Sequence, residues 1–192
     1  MIEAIHRLFN NVAVRKTFLK LRYVLVLALV GIIALYMKPR WLPVAFAVSL
    51  IGALIQSWAF AALIKNKELA VRGPYVLTRN PMYLGRFILV LGLLLLPADP
   101  YLIVVYCALY YFYMVNRVKR EEQHLRQVRA EPYEEYCRRV NRFWPTLSRL
   151  TDKHVYFFEW KRFKDNNGHW NFLSVLAIYG VLYAYALYIT PG

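Results

Sequence analysis

A chain of 192 residues in which 59% are hydrophobic and 17% aromatic is too apolar for an ordinary soluble domain and reads as a membrane protein. Its 25 Lys and Arg against 11 Asp and Glu, a net +14, admit nucleic acid, an anionic lipid surface or an anionic ligand, and the placement of the charge must decide among them. Two cysteines, Cys107 in an apolar run and Cys137 in a polar one, argue against a disulfide framework and read as free thiols.

The N-terminal stretch lacks a small-residue cleavage site of the signal-peptide kind and is expected to be retained. Uncharged runs follow at residues 23–37, 41–64, 87–96, 101–115 and 172–190. A spanning helix needs roughly 20 mainly apolar residues. The first, third and fourth runs are shorter than that, and extension past the bilayer with snorkelling Lys20, Arg22 and Arg86 makes up the length. The expectation is an all-α, multi-pass membrane protein with about five transmembrane helices and a helical cytosolic cap.

Lys and Arg near span ends are retained on the cytoplasmic side. Arg7, Arg15, Lys16, Lys20 and Arg22 precede the first span, and Lys65, Lys67, Arg72, Arg79 and Arg86 lie between or beside the second and third. The stretch 116–171 holds most of the others, and Lys38 with Arg40 form the exception. Twenty-three of the 25 cations, 25 less those two, therefore share one face. This predicts a cytosolic N-terminus and a C-terminus on the opposite side. Topology and anionic headgroups account for most of the charge, which leaves membrane lipids as partners and no nucleic acid.

Asn80-Pro81 and Asp99-Pro100 each place a capping side chain before a proline, which suits the first helical position because its missing N–H would be unpaired there. Span three is therefore expected to start at Pro81. Span four should continue as a polar helix to about Ala130, and a short helix from Pro132 to about Phe143 should end before Trp144-Pro145. An interfacial segment from His154 to Trp170 leads into the Tyr-rich last span. No repeat or linker is visible, so residues 1–192 read as one membrane-embedded domain, with 151–192 forming the interfacial segment and last helix.

Three stretches can carry chemistry. The segment Gly73-Pro74-Tyr75-Val76-Leu77-Thr78-Arg79-Asn80-Pro81-Met82-Tyr83-Leu84-Gly85 combines turn formers, a helix start and arginine, a setting that binds carboxylate or phosphate; an ordinary membrane-entry turn has the same look. Glu121 and Glu122 follow span four, where spacing of four pairs Arg117 with Glu121 and Glu122 with Arg126 along a solvated face. Adjacent carboxylates point about 100° apart on a helix, so at least one can turn into a pocket. Tyr133 and Tyr136 share a helix face ahead of Arg142, and aromatic faces attract cations such as a sulfonium, although interfacial anchoring is the more common role for a tyrosine at a membrane boundary. The four histidines have no zinc-site spacing, no phosphate-binding glycine loop is present, and Ser49, Gln56 and Ser57 suit helix–helix hydrogen bonds.

In this order, Gly73-Pro74-Tyr75, Arg79-Asn80-Pro81-Met82-Tyr83-Leu84-Gly85, Glu121-Glu122 with Leu125, and Tyr133, Tyr136 and Arg142 through Pro145 resemble the isoprenylcysteine carboxyl methyltransferase and phospholipid N-methyltransferase superfamily of membrane enzymes. The resemblance covers residues 73–145. It implies S-adenosylmethionine as cofactor, held at the cytosolic side by Arg79, Asn80, Pro81, Tyr83, Gly85, Glu121, Glu122, Tyr133, Tyr136 and Arg142. It also implies a lipophilic or prenylated acceptor arriving from the bilayer. The family usually has histidine where Asn80 stands; asparagine donates hydrogen bonds but cannot carry charge or relay a proton. The glycine frequent ahead of the Tyr133 region is replaced by Arg129-Ala130-Glu131-Pro132. No residue stands out as a general base, which tilts the acceptor toward an isoprenylcysteine-type carboxylate rather than a phospholipid amine. A non-catalytic scaffold or channel subunit is the remaining rival, against which stands the scarcity of ionisable groups within the spans.

Overall fold

The computed structural model describes residues 2–64 and 69–189; Lys65, Lys67 and the end of the last span from Thr190 lie outside the described residues. Eight α-helices are described: α1 (Ile2–Asn10), α2 (Val12–Tyr36), α3 (Leu42–Ala62), α4 (Pro81–Leu94), α5 (Pro100–Val128), α6 (Ala130–Arg139), α7 (Trp160–Asp165) and α8 (Gly168–Ile189). No strand occurs among the described residues. The chain is an all-α integral membrane protein.

Length and composition alone support three spans among the described residues: Pro39–Ala62, Pro100–Val128 and Gly168–Ile189. The α2 helix counts as a fourth if its two halves, which are bent by 51°, form one span. The count of about five is not reproduced because α4 has only 14 residues. At 1.5 Å per residue it reaches about 21 Å, short of the roughly 30 Å hydrocarbon core.

Local chemistry sets most of the helix boundaries. The Asp99 carboxylate accepts hydrogen bonds from the N–H groups of Tyr101 and Leu102, and Pro100 occupies the first position of α5. Asp99→Ala should lower stability by about 1 kcal/mol, measured by thermal unfolding in detergent, because the two N–H groups lose their acceptor. At Asn80 the same sequence device behaves differently: the side chain makes no capping bond to α4. Its amide donates instead to the Arg142 carbonyl at 3.0 Å. The α6 helix starts two residues before Pro132, which fits its first turn, and it stops at Arg139 rather than Phe143 because Val140 is already extended.

The bundle centres on α3 and α4, which touch along small residues. A Cβ on Gly52 would lie 2.3 Å from the Leu89 nitrogen and 2.6 Å from the Gly85 oxygen, and one on Gly92 would strike Ser49. Close approach lets Ser49 Oγ donate to the Leu89 carbonyl at 2.8 Å. The α8 helix joins through Tyr179, whose hydroxyl donates to the Ala45 carbonyl at 2.8 Å and meets Ser49 Oγ at 2.7 Å. Tyr185 of α8 donates to the Ala34 carbonyl of α2.

The Lys38 N–H donates to the Leu96 carbonyl, so the short turns after α2 and α4 share one end of the bundle. The longer connections gather at the other end. There the last carbonyls of α3, unpaired within a helix, accept from the Asn166 amide (Phe60 and Leu63) and from the Glu159 N–H (Ala61). The expected interfacial segment is thus a strap of turns and α7 that closes the end of α3. Its Phe157 carbonyl accepts from Trp58 Nε1 and lies beside Gly73. Gly73 has φ +62, and a Cβ there would also meet Ala62, so the turn needs glycine on both counts.

Candidate active site

At the loop-rich end, Gly73–Val76 forms a buried 3-10 turn that delivers the chain to α4. The run after it, residues 77–80, lies against the segment that leaves α6. The Arg79 N–H donates to the Asn141 carbonyl, the Thr146 N–H to the Leu77 carbonyl, and both Thr78 Oγ1 and the Asn80 amide to the Arg142 carbonyl. These bonds place the side chains of Arg79 and Arg142 beside α5 although 63 positions, 142 less 79, separate them in sequence.

Both arginines converge on Glu122. Its side chain is 3% exposed. Arg79 Nη1 lies 3.3 Å from Oε1, Arg142 Nε donates to Oε1 at 3.1 Å, and Arg142 Nη2 also contacts Oε2, so Arg142 grips the carboxylate in a fork. Two guanidiniums on one carboxylate leave one positive charge in excess. The Arg79 Nε is buried and has no hydrogen-bond partner among the described residues. An unpaired buried donor of this kind costs about 1–3 kcal/mol unless a further acceptor reaches it.

Glu121 points elsewhere. The Tyr83 hydroxyl and Arg117 Nε both donate to its Oε1 at 2.8 Å, and its side chain is 41% exposed. The expected Arg117–Glu121 pair is therefore present, whereas the expected Glu122–Arg126 pair is not. Arg126 reaches across to Glu134 on α6, because the helix turns Glu122 inward and leaves Arg126 facing solvent. Each adjacent carboxylate serves a different environment.

Tyr133 and Tyr136 are buried on the inner face of α6, with ring centroids 6.3 Å apart. The Tyr136 hydroxyl donates to the Tyr75 carbonyl at 2.7 Å. Burial pushes the Tyr136 hydroxyl well above the ordinary phenol range, with Tyr75 and Tyr133 adding to it; burial, then the charge of Glu121, does the same at Tyr75, and burial, then Glu122, at Tyr133. All three hydroxyls stay protonated near neutral pH, and that of Tyr136 acts as a donor. A groove of about 420 Å³ lies against α6, with Tyr136 and Val140 in its wall and Arg149, Asp152 and His154 among the residues lining it.

The remaining expected residues fall into place by packing. Pro81 is buried at the start of α4. Gly85 faces α3, where a Cβ would meet Gln56 and the Gly52 carbonyl, so its side serves helix contact. Two residues were missed. Cys137 touches Arg79 Nη1, and its position four after Tyr133, on the same helix face, was the available signal. Tyr75 feels the charge of Glu121 and lies in the Gly73-Pro74-Tyr75 turn that the motif already contained. Among the described residues no group of three or more His, Cys, Asp or Glu side chains converges as a metal site would.

The family model described as phospholipid methyltransferase matches residues 41–131, from the start of α3 to the start of α6. The match covers 91 of the 192 residues, just under half of the chain. A curated relative, the nickel-cobalt-cadmium resistance protein NccN of Alcaligenes xylosoxydans xylosoxydans, is 30% identical over 102 residues, 53% of this chain and 47% of the relative. The match thus spans about half the length of that protein. No solved structure matches the chain.

Proposed function

We infer, from the phospholipid methyltransferase match over residues 41–131, that this chain transfers a methyl group from S-adenosylmethionine to a lipophilic acceptor in the membrane. The observation that carries the reading is Glu122, a buried carboxylate on which Arg79 and Arg142 converge from two distant motif segments. S-adenosylmethionine supplies an activated methyl on a sulfonium, next to an amino-acid tail and a nucleoside. The residues suit those parts. Arg79, with its unpaired Nε, and Arg142 offer surplus positive charge to the tail carboxylate. Glu121, partly exposed and aligned by Tyr83, suits the tail ammonium or the ribose hydroxyls. Tyr133 and Tyr136 close the site, and Asn80 holds the Arg142 backbone in position.

Residues 73–145 form the cofactor core of a single domain in this reading, with the loop-rich end in the cytosol and the C-terminus on the opposite side. The crowding of Lys and Arg at that end supports the orientation. Displacement at a sulfonium needs alignment and desolvation rather than a covalent enzyme intermediate, and a rigid, hydrogen-bonded cluster supplies both.

An isoprenylcysteine-type carboxylate needs no base, and it suits a site whose buried carboxylate is already engaged by two guanidiniums. The description of the matching family favours a phospholipid amine as second reading. Calorimetric titration of the purified chain with S-adenosylmethionine should show saturable binding that Arg79→Ala weakens; absence of heat at millimolar cofactor sinks the proposal. Lipid extracts then separate the acceptors after transfer of a labelled methyl, because an ester releases the label in base and a methylated amine does not.

A further inference from the structure

The seam between α4 and α5 carries an arginine that the cluster at Glu122 does not use. Arg86 lies five residues beyond Pro81, about 7.5 Å along the α4 axis from the helix start. It is exposed, and among the described residues no carboxylate forms an ion pair with it. A charge at the side of a membrane helix is expensive without a partner, so its presence calls for one.

From its chain neighbour Phe87 a run of aromatic rings continues along the seam. Phe87 stacks on Tyr106 with centroids 5.4 Å apart and planes 7° from parallel, Phe87 meets Tyr110 at 5.3 Å, and Tyr110 meets Tyr113 at 5.9 Å. The tyrosine hydroxyls are turned into α4: Tyr106 donates to the Phe87 carbonyl at 3.0 Å and Tyr110 to the Tyr83 carbonyl at 2.7 Å. Tyr110 is buried, and Phe87 with Tyr106, its polar end spent, are half-buried and offer apolar surface. The Arg86 charge is near enough to be felt at both hydroxyls. One turn back toward the start of α4, Tyr83 holds Glu121 through its own hydroxyl, so the seam is continuous with the cluster described above.

An unpaired guanidinium at the head of an apolar aromatic track on a membrane-embedded seam, joined to the candidate active site through Tyr83, matches an amphiphile with an anionic head. We propose that Arg86 binds the phosphate or carboxylate of the methyl acceptor while Phe87 and Tyr106 hold the adjoining part of its apolar chain. That the bound amphiphile is the methyl acceptor rests on the methyl-transfer reading; the binding of an anionic amphiphile does not. A guanidinium grips either anion in a planar fork, which an ammonium cannot do.

The test uses the full chain in neutral detergent, with native mass spectrometry of retained probes: dioleoyl phosphatidate, N-acetyl-S-farnesylcysteine and uncharged dioleoylglycerol. The wild type should retain one of the anionic probes about tenfold over dioleoylglycerol, and Arg86→Gln should remove that preference, as expected for loss of one charge-assisted hydrogen-bonded contact. The anionic probe retained identifies the source of the anion. Lys119→Gln, which removes an exposed cation of α5, should stay within about twofold of wild type, while Arg86→Lys should recover only part of the preference. Tyr106→Ala should weaken charged and uncharged probes alike. Equal retention by wild type and Arg86→Gln, or an equal loss in Lys119→Gln, overturns the assignment and leaves Arg86 an interfacial anchor. Cofactor calorimetry on the same preparations separates the two proposals: wild type that ignores S-adenosylmethionine but retains the anionic probe through Arg86 defeats the enzyme reading alone.

Discussion

Glu122→Gln is expected to cost about 3 kcal/mol of stability and to lower methyl transfer about a hundredfold, whereas Glu121→Gln should change stability by less than about 1 kcal/mol. The two residues are neighbours of identical chemistry, and burial separates them. Glu122 is 3% exposed and holds Arg79 and Arg142, so its amide replacement leaves two guanidiniums facing each other across a neutral group. The figure sits at the low end of the range for breaking a buried pair because Arg142 is 36% exposed and keeps part of its hydration. The activity loss follows from geometry: once the arginines separate, Arg79 no longer lies where its free Nε can meet a ligand. Glu121 and Arg117 are 41% and 44% exposed, and water replaces whatever the pair contributes. Thermal unfolding of both variants, alongside methyl transfer, decides the matter. Equal stability losses for the two would falsify the assignment of Glu122 as the centre of the cluster.

Gly52→Val should be the most damaging apolar change in the bundle, costing about 3 kcal/mol or more and abolishing a folded monodisperse protein in detergent. Its Cβ would stand 2.3 Å from a backbone nitrogen of α4, and backbone cannot swing aside as a flexible side chain does. The two helices must separate, which stretches the Ser49 to Leu89 hydrogen bond and shifts Pro81 with the start of α4. Gly31→Ala, at a position with nothing within 4 Å of a new Cβ, supplies the control and should unfold as wild type or slightly later. Size-exclusion chromatography and thermal unfolding read both.

Much of the fold was legible because its signals are local. The apolar runs became α2, α3, α5 and α8, and the polar extension of span four runs to Val128, close to the anticipated Ala130. Asp99-Pro100 starts its helix as the residue types require. The motif segments around Arg79, Glu122, Tyr133 and Arg142 were also visible as separate stretches. The number of spans was less legible, since a run such as that of α4 reads as a span from hydropathy although the helix it forms is too short to reach across alone.

Asn80-Pro81 shows where local reading stops. It presents the same capping chemistry as Asp99-Pro100, yet its amide leaves the helix for the Arg142 carbonyl. The alternative acceptor lies 62 positions away, and no local pattern contains it. Gly85 and the two glutamates teach the same point. Helical spacing states that Glu121 and Glu122 diverge by about 100°, and not which of them faces the interior. The packing of α4, α5 and α6 decided that, because only one direction brings a carboxylate between two arginines delivered by separate loops. From the sequence alone came an all-helical membrane protein with a basic, aromatic site end and a capped start for α5. From the tertiary structure came the partner of each charge, since ion pairs and close helix contacts depend on distances between segments that are remote along the chain.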